Sequence, residues 1–388
     1  AELTACLYSN YDLIKGKDKV ILSKGHAVPI LYAVLYELGA INTLDNFREV
    51  NSPLQGHPDK ERLNLMHATT GALGQGLSIA IGHALASKTK KLNNKIFCIL
   101  GDGELQEGQI WESLRSASNE SMSEMYIIVD NNKIQSDNWV NLTSDNGDLR
   151  LKFESFGCHV EEIDGHNLSE IYSTFENLKS VDDKPKIIIA NTIKGYGVSF
   201  MHADEKIREP DYEYPYHSGA LSYEDYCKAL LELKKSLNSK LENFGEREIV
   251  FENYTKINES SNSINVSLLE NYSKLLLENA DNSKIVVMDG DLMKDHGLTE
   301  FKRKFPSKYI ECGISEQDMV SQAGTLALES YIPIVHSFAS FLTTRANEQI
   351  YNNATEKSKI VYVSGLCGLL PSGPGHSHQS VRDIGLMG

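Results

Sequence analysis

The run Lys95-Ile96-Phe97-Cys98-Ile99-Leu100, followed at once by Gly101-Asp102-Gly103-Glu104-Leu105-Gln106-Glu107-Gly108, decides how this chain is read. A short apolar run rich in β-branched residues and ending in glycine fits a strand buried on both faces. Two more runs of the same kind follow, Met125-Tyr126-Ile127-Ile128-Val129 and Lys186-Ile187-Ile188-Ile189-Ala190. They are separated by about 25 residues or more, which leaves room for helical crossovers between parallel strands. The first half is therefore expected to be α/β, with helices on both faces of a parallel sheet.

Working outward, the composition between Lys234 and Asn265 shifts to Lys, Glu, Asn and Ser, which reads as a polar linker over 235–265. Beyond it the same logic resumes. Helices are predicted over Leu268–Glu278, Met319–Leu328 and Ala346–Ala354, and strands over Ile285–Met288, Ile332–His336 and Ile360–Val363. The chain of 388 residues is too long for one ordinary domain. Two successive parallel-sheet domains are expected, 1–234 and 266–388.

The bulk composition narrows the function. A formal charge of −15 excludes nonspecific nucleic-acid binding, which needs a basic face. The six cysteines lie far apart, with no CxxC pair and no zinc-like His spacing, and are expected to be reduced thiols. No apolar run reaches the length of about 20 residues that a membrane span needs, and no signal peptide is visible, so the cytoplasm is the default compartment. The chain starts at Ala1 without methionine and stops at Gly388 in an apolar stretch, so either end is open to being incomplete.

Chemistry is concentrated at the ends of the predicted strands. Asp102 sits just past Leu100, between two glycines that allow close backbone approach. Gly-Asp-Gly alone also makes a plain tight turn. Thirty residues on, however, the next strand ends in Val129-Asp130-Asn131-Asn132-Lys133-Ile134, so both loops reach the same sheet edge. A carboxylate, an amide oxygen and a backbone carbonyl form an oxygen-only set suited to Mg²⁺, which keeps phosphate oxygens and water as its other ligands. Upstream, Thr69-Thr70-Gly71-Ala72-Leu73-Gly74-Gln75-Gly76 is glycine-rich but has the wrong spacing for a dinucleotide fingerprint.

Gly101-Asp102-Gly103 followed by Asn131-Asn132 resembles the thiamine-diphosphate signature, and Gly101 to Glu112 resembles its version in transketolases, especially two-subunit ones. The likeness extends over nearly all of the chain. Leu22-Ser23-Lys24-Gly25-His26-Ala27, Gly56-His57-Pro58-Asp59 and the glycine-rich run at 69–76 resemble further transketolase loops. So do Ile193-Lys194-Gly195-Tyr196-Gly197-Val198 and Tyr216-His217-Ser218-Gly219. In the second half, Glu311-Cys312-Gly313-Ile314-Ser315-Glu316 and His336-Ser337-Phe338-Ala339-Ser340-Phe341-Leu342-Thr343-Thr344-Arg345 carry the resemblance, as does Ser377-His378-Gln379.

The resemblance implies thiamine diphosphate with Mg²⁺ (Ca²⁺ or Mn²⁺ as substitutes), the metal held by Asp102, Asn132 and the carbonyl of Ile134. It implies a diphosphate domain at 1–234, a pyrimidine domain at 266–388, and a C-terminal third domain absent or not included. Catalytic roles fall to Glu316, His26, His57, His217 and His378. Cofactor contacts fall to Gly71, Leu73, Gly101, Gly103, Glu107, Ile193, Asp291, Phe338 and Phe341. Glu316 would hydrogen-bond N1′ of the aminopyrimidine from an apolar site, where burial should raise its pKa. A homodimer, or a larger assembly of such dimers, is implied, with active sites at the interface so that Asp102 and Glu316 meet between subunits.

Several positions depart from the sugar-phosphate pattern. Before Ser377 an acidic residue is usual, but the chain has Pro374-Gly375-His376. Ser267, Asp295 and Leu366 stand near positions where an Arg, a small hydroxyl residue and a His hold an acceptor phosphate, and Ser136 replaces an apolar prop, leaving that wall to Leu73 and Ile193. The function expected is transfer of a two-carbon ketol unit from a ketose to an aldehyde or ketone, with small sugars as substrates and room for a nucleotide-linked keto sugar. A 1-deoxyxylulose-5-phosphate synthase-like decarboxylating carboligase and an inactive cofactor-binding subunit are the alternatives.

Overall fold

A computed structural model of the chain describes residues 1–203, 213–217, 219–249, 268–369 and 373–387. In chain order the strands of the first half are β1 (Lys19–Leu22), β2 (Ile96–Gly101), β3 (Met125–Asn131), β4 (Ile134–Gln135), β5 (Asn138–Trp139), β6 (His159–Asp164) and β7 (Lys186–Asn191). Five of them form one parallel sheet in the order β1-β2-β3-β7-β6, and β4 and β5 form a small antiparallel hairpin. The second half contributes β8 (Ile285–Asp289), β9 (Tyr309–Glu311), β10 (Ile332–Phe338) and β11 (Val361–Gly365), a parallel sheet in the order β11-β10-β8-β9. Both expected α/β sheets are present.

All six residues of β2 are buried, and they divide by alternation. Phe97 and Ile99 enter one apolar core, while Ile96, Cys98 and Leu100 enter the core on the opposite face. Two covered faces explain why the run shows no polar alternation. β6 was not visible in the sequence because it is an edge strand with the mixed burial of His159-Val160-Glu161-Glu162-Ile163-Asp164. The three-residue β9 and the four-residue β1 are too short to carry a pattern.

The parallel register sets the site. Gly101 pairs with Asp130, and Asn131 with Asn191, so the carboxyl ends of β2, β3 and β7 present Asp102, Asn131 and Asn132 on one edge. In the other sheet Asp289 pairs with both Glu311 and His336, and Phe338 with Gly365. The stretch expected to open the linker differs. A helix capped by Ser222 runs from Tyr223 to Asn243, because Lys, Glu and Leu are good helix formers whatever their polarity. Residues 250–267, with the rest of the expected linker and Ser267, lie outside the described residues, as does Ser218. Among the described residues no helix is long and apolar enough to cross a membrane.

Candidate active site

Asp102 ends the first strand edge as a buried carboxylate that accepts hydrogen bonds from the backbone N–H groups of Gly103 (2.8 Å) and Lys133. The second bond folds the turn after β3 back onto it. In that turn Asn132 Oδ1 accepts from Ile134 N–H (3.0 Å), so the carboxylate, the amide and the 134 backbone converge. Burial pushes the Asp102 carboxyl up to about 6 against the opposing charge of Lys24, so a cation beside it would hold it ionised. One carboxylate with two neutral oxygens holds a divalent cation only when phosphate oxygens complete the set. The donor set fits a metal-diphosphate.

Backbone conformation marks the same place. Lys133, Ser136 and Asp291 are non-glycine residues at φ of 69°, 28° and 62°. Such strain collects at functional sites and persists only where the surroundings enforce it. Ser136 Oγ donates to Asp291 Oδ2 (2.7 Å), joining the two halves. Burial, with the nearby Glu311 charge, raises Asp291 to about 8.

Buried carboxyls knit the loops together. Glu104 accepts from Ser23 Oγ, from Gly74 N–H (2.9 Å) and from Gly101 N–H (3.1 Å), joining the His26 loop, the glycine-rich loop and β2. Gln106 Oε1 accepts from Ile314 N–H (2.8 Å) of the second half. Gly103 serves packing rather than an open cradle, since a Cβ there would lie 2.6 Å from Gln135. Gly101 has ordinary room, and Gly71, at φ 146°, admits Ser377.

Arg345 joins the second half to the first. Its Nη1 donates to Glu316 (2.9 Å) and to Glu107, and its Nη2 to the carbonyl of Leu73 (3.0 Å). Glu316 is 3% exposed, yet its surroundings are not the apolar site expected, because the guanidinium is packed against it. The carboxyl that retains a proton is Glu107, raised to about 9 by burial and by the facing Glu316 against the pull of Arg345. Arg345 supplies the cation that both carboxyls share. Glu104, Lys24 and Arg345 went unassigned in the sequence; each lies inside a quoted motif, but only contacts between loops distant in sequence reveal its role.

Histidines line the cleft above. His57 is buried, with Nδ1 bonded to the Pro374 carbonyl, which leaves Nε2 facing its neighbours. Its ring stacks on His378 at 4.9 Å between centroids, and His378 lies 5.1 Å from Phe341 and 5.8 Å from Phe338. His26 and His217, 5.9 Å apart, expose ring surface to the cleft but are crowded by protein and cations. That crowding, which strips water from the rings, and the charges of Lys24 and Lys194 hold His26 well below the usual range and His217 at about 3. His57 falls to about 4 and His378 to about 3, chiefly by burial. All four are neutral at pH 7.

Lys194 Nζ reaches the Ser136 carbonyl (2.9 Å) and His217 Nδ1 (2.9 Å), and burial lowers it to about 8. Lys24 pairs with Asp130 at 2.6 Å. Of the remaining expected contacts, Leu73 is half-buried at the Arg345 junction, while Ile193 is 43% exposed and anchored by its N–H to His166 Nε2 (2.9 Å). Within one chain Glu316 meets Glu107 through Arg345.

Known proteins carry the same pattern. A family model described as transketolase, thiamine diphosphate binding domain, matches residues 9–209, and one described as transketolase, pyrimidine binding domain, matches 272–388. Transketolase-like protein 2 of Mus musculus is 31% identical over 384 residues, covering 95% of this chain and 59% of its own length. The 6-deoxy-6-sulfo-D-fructose transketolase subunit SqwG of Clostridium sp. (strain MSTE9) is 39% identical over 221 residues, covering 56% of this chain and 77% of that protein. The solved transketolase of Campylobacter jejuni subsp. jejuni NCTC 11168 shares the fold, with a TM-score of 0.50 at 23% identity over 99% of this chain and 67% of that one. The chain spans about three-fifths of the length of full transketolase relatives such as that of Homo sapiens, 63% of which it covers at 30% identity. With one model over its first sheet, the other over its second, and the matched motifs at both carboxyl edges, this chain belongs to the transketolase family.

Proposed function

We propose that this chain binds thiamine diphosphate with Mg²⁺ and transfers a two-carbon ketol unit from a ketose to an aldehyde or ketone acceptor. The observation that carries this reading is the approach of Glu316, on the second sheet's edge, to Glu107 and Leu73 of the first through Arg345. Asp102, Asn132 and the Ile134 carbonyl would hold the cation, with Lys194, His26 and His217 on the diphosphate side. Phe338 and Phe341 would pack the pyrimidine, and Glu316 would hold a hydrogen bond to its ring nitrogen. When bound, the cofactor supplies the electron sink for the cleaved carbon–carbon bond. The chain's own part is positioning and proton handling. Neutral His57 and His378 orient substrate hydroxyls and take or give a proton at ring nitrogens, as imidazoles can when their pKa values lie below the working pH.

Substrate remains the finer part of the proposal. A relative named for 6-deoxy-6-sulfo-D-fructose supports an acidic sugar that is not an ordinary aldose phosphate. A donor-by-acceptor screen with thiamine diphosphate and Mg²⁺, read by mass, should show a two-carbon gain on an acceptor. Release of CO₂ from pyruvate instead would favour the decarboxylating carboligase.

A second reading has its own support. A relative named as a subunit favours a cofactor-binding chain that reaches full activity only with another chain. Turnover that appears only when a second polypeptide is added would establish it. Pairing into homodimers or larger assemblies belongs to the same proposal and is read by sedimentation. A cytoplasmic setting rests on the free cysteines at 6, 98, 158, 227, 312 and 367.

A further inference from the structure

One carboxylate of the second half ties together two turns that reach the first. Glu311 ends β9 beside Asp289, its register partner on β8, and is half-buried. Its Oε1 accepts the backbone N–H of Asp291 (3.0 Å) and that of Gly313 (3.1 Å), and its Oε2 accepts the Tyr309 hydroxyl (2.9 Å). That hydroxyl also lies 3.2 Å from Asp289 Oδ2, so the group that steadies Glu311 is itself held. Asp291 and Gly313 sit at φ of 62° and 69°, beyond the last pair of the β8–β9 ladder, so their amides need a partner from outside it. A single oxygen serves both.

Each turn meets a different part of the first half. Asp291 Oδ2 accepts from Ser136 Oγ (2.7 Å), and the Ser136 carbonyl in turn accepts from Lys194 Nζ (2.9 Å). Ser136 stands where the resemblance expects an apolar prop, so this contact belongs to the departures of this chain. Gly313 is pressed against Gln106 and Ser144, from which a Cβ would stand 2.6 and 2.7 Å away, and the next amide, of Ile314, donates to Gln106 Oε1 (2.8 Å). Two residues on, the helix Glu316–Leu328 begins. Glu316 is thus fixed by Arg345 at its carboxyl and by the Gly313 turn at its backbone.

We propose that Glu311 is a positioning residue for the two-carbon transfer: by bonding the Asp291 and Gly313 amides through one oxygen, it holds Glu316 at a fixed separation from the Ser136–Lys194 contact. The role is exerted through Glu316, requires an acceptor oxygen rather than a charge, and rests on the ketol-transfer reading for its catalytic consequence.

Two readouts separate the tie from the reaction. In the cofactor-free chain, amide hydrogen exchange reports the tie itself: in Glu311→Ala the Asp291 and Gly313 amides should exchange faster together, by about tenfold or more, the scale of one hydrogen bond to a charged group, while the amides of β10 keep their rates. Glu311→Gln retains an acceptor oxygen and should restore both. With saturating thiamine diphosphate and Mg²⁺, exchange of the cofactor C2 proton should fall at least about tenfold in Glu311→Ala and stay within about threefold of the wild type in Glu311→Gln, as expected where geometry sets the rate. A folded, saturated chain that had lost only stability would keep the wild-type rate. Should Glu311→Ala not fold, Tyr309→Phe, which frees Oε2, should speed both amides at least about threefold. Amides that move separately or not at all, a Gln variant no better than Ala, or wild-type C2 exchange in loaded Glu311→Ala overturns the proposal. Amides released together, with wild-type C2 exchange no faster than that of free cofactor, would sink the ketol reading and leave the tie standing.

Discussion

The floor of the cleft and its rim are built on opposite principles. On the floor, Asp102, Glu104, Glu107, Glu316 and Arg345 are buried or nearly so, and each is bonded to a loop distant in sequence. At the rim, Arg48, Asp295 and His376 are exposed and lie on or beside loops. A buried charge must be paired or it destabilises the fold, so the floor tolerates little change. Exposed side chains carry no such penalty, and the rim is free to change its specificity. The contrast fits the expectation from the sequence that the cofactor motifs follow the family and the substrate positions depart from it.

The largest effect that would break the comparison is at Arg345. Arg345→Met leaves Glu107 and Glu316 buried without their cation and should cost about 3–5 kcal/mol of stability by urea denaturation at pH 7. A loss below about 1 kcal/mol would mean that the floor is not electrostatically locked. Next, Asp102→Ala removes the single charged oxygen of the proposed metal set, and thiamine diphosphate affinity in Mg²⁺ should fall by about 100-fold or more, measured by equilibrium dialysis. Unchanged affinity would remove Asp102 from the metal site.

Stability against pH should sharpen the contrast, because floor and cleft walls titrate in opposite senses. Glu107, at about 9 when folded, and Asp291, at about 8, bind protons that the unfolded chain has released, so stability falls as pH rises from about 4.5 towards 9. His57, at about 4 when folded, refuses a proton that the unfolded chain binds below about 6.5, so stability also falls as pH drops from about 6.5 to 4. Denaturation midpoints of the cofactor-free chain should show both limbs, with Glu107→Gln flattening the alkaline one. A Glu107→Gln curve superimposable on the wild type would contradict the assignment.

The smallest effect belongs to the rim. Ribose 5-phosphate should be a poor acceptor, and Asp295→Ser should improve its kcat/KM by about tenfold at most, since the group is exposed and its field is screened. Wild-type turnover with ribose 5-phosphate matching an ordinary transketolase would show that the rim departures carry no specificity.

Much of this was legible in the sequence. The strands over 96–101, 125–131 and 186–191 announce themselves because both faces are buried, and the 30-residue spacing from Asp102 to Asn132 places both on one edge. β6 and β9 were not legible, one being half-exposed and the other three residues long. The environment of Glu316 was misjudged for a physical reason. An apolar site is what the motif implies, but Arg345 and Glu107 reach it from 29 residues away and from the other sheet, and a linear motif holds no record of such approaches.

The central claim is that Glu316, held by Arg345 opposite the Asp102 edge, serves a bound thiamine diphosphate. Hydrogen–deuterium exchange at C2 of the cofactor, quenched and read by NMR in the presence of Mg²⁺, tests it most directly. Wild-type protein should exchange that proton at least about 100-fold faster than Glu316→Gln, the scale of one positioned acid–base group. Exchange in the wild type no faster than in the variant would contradict the account.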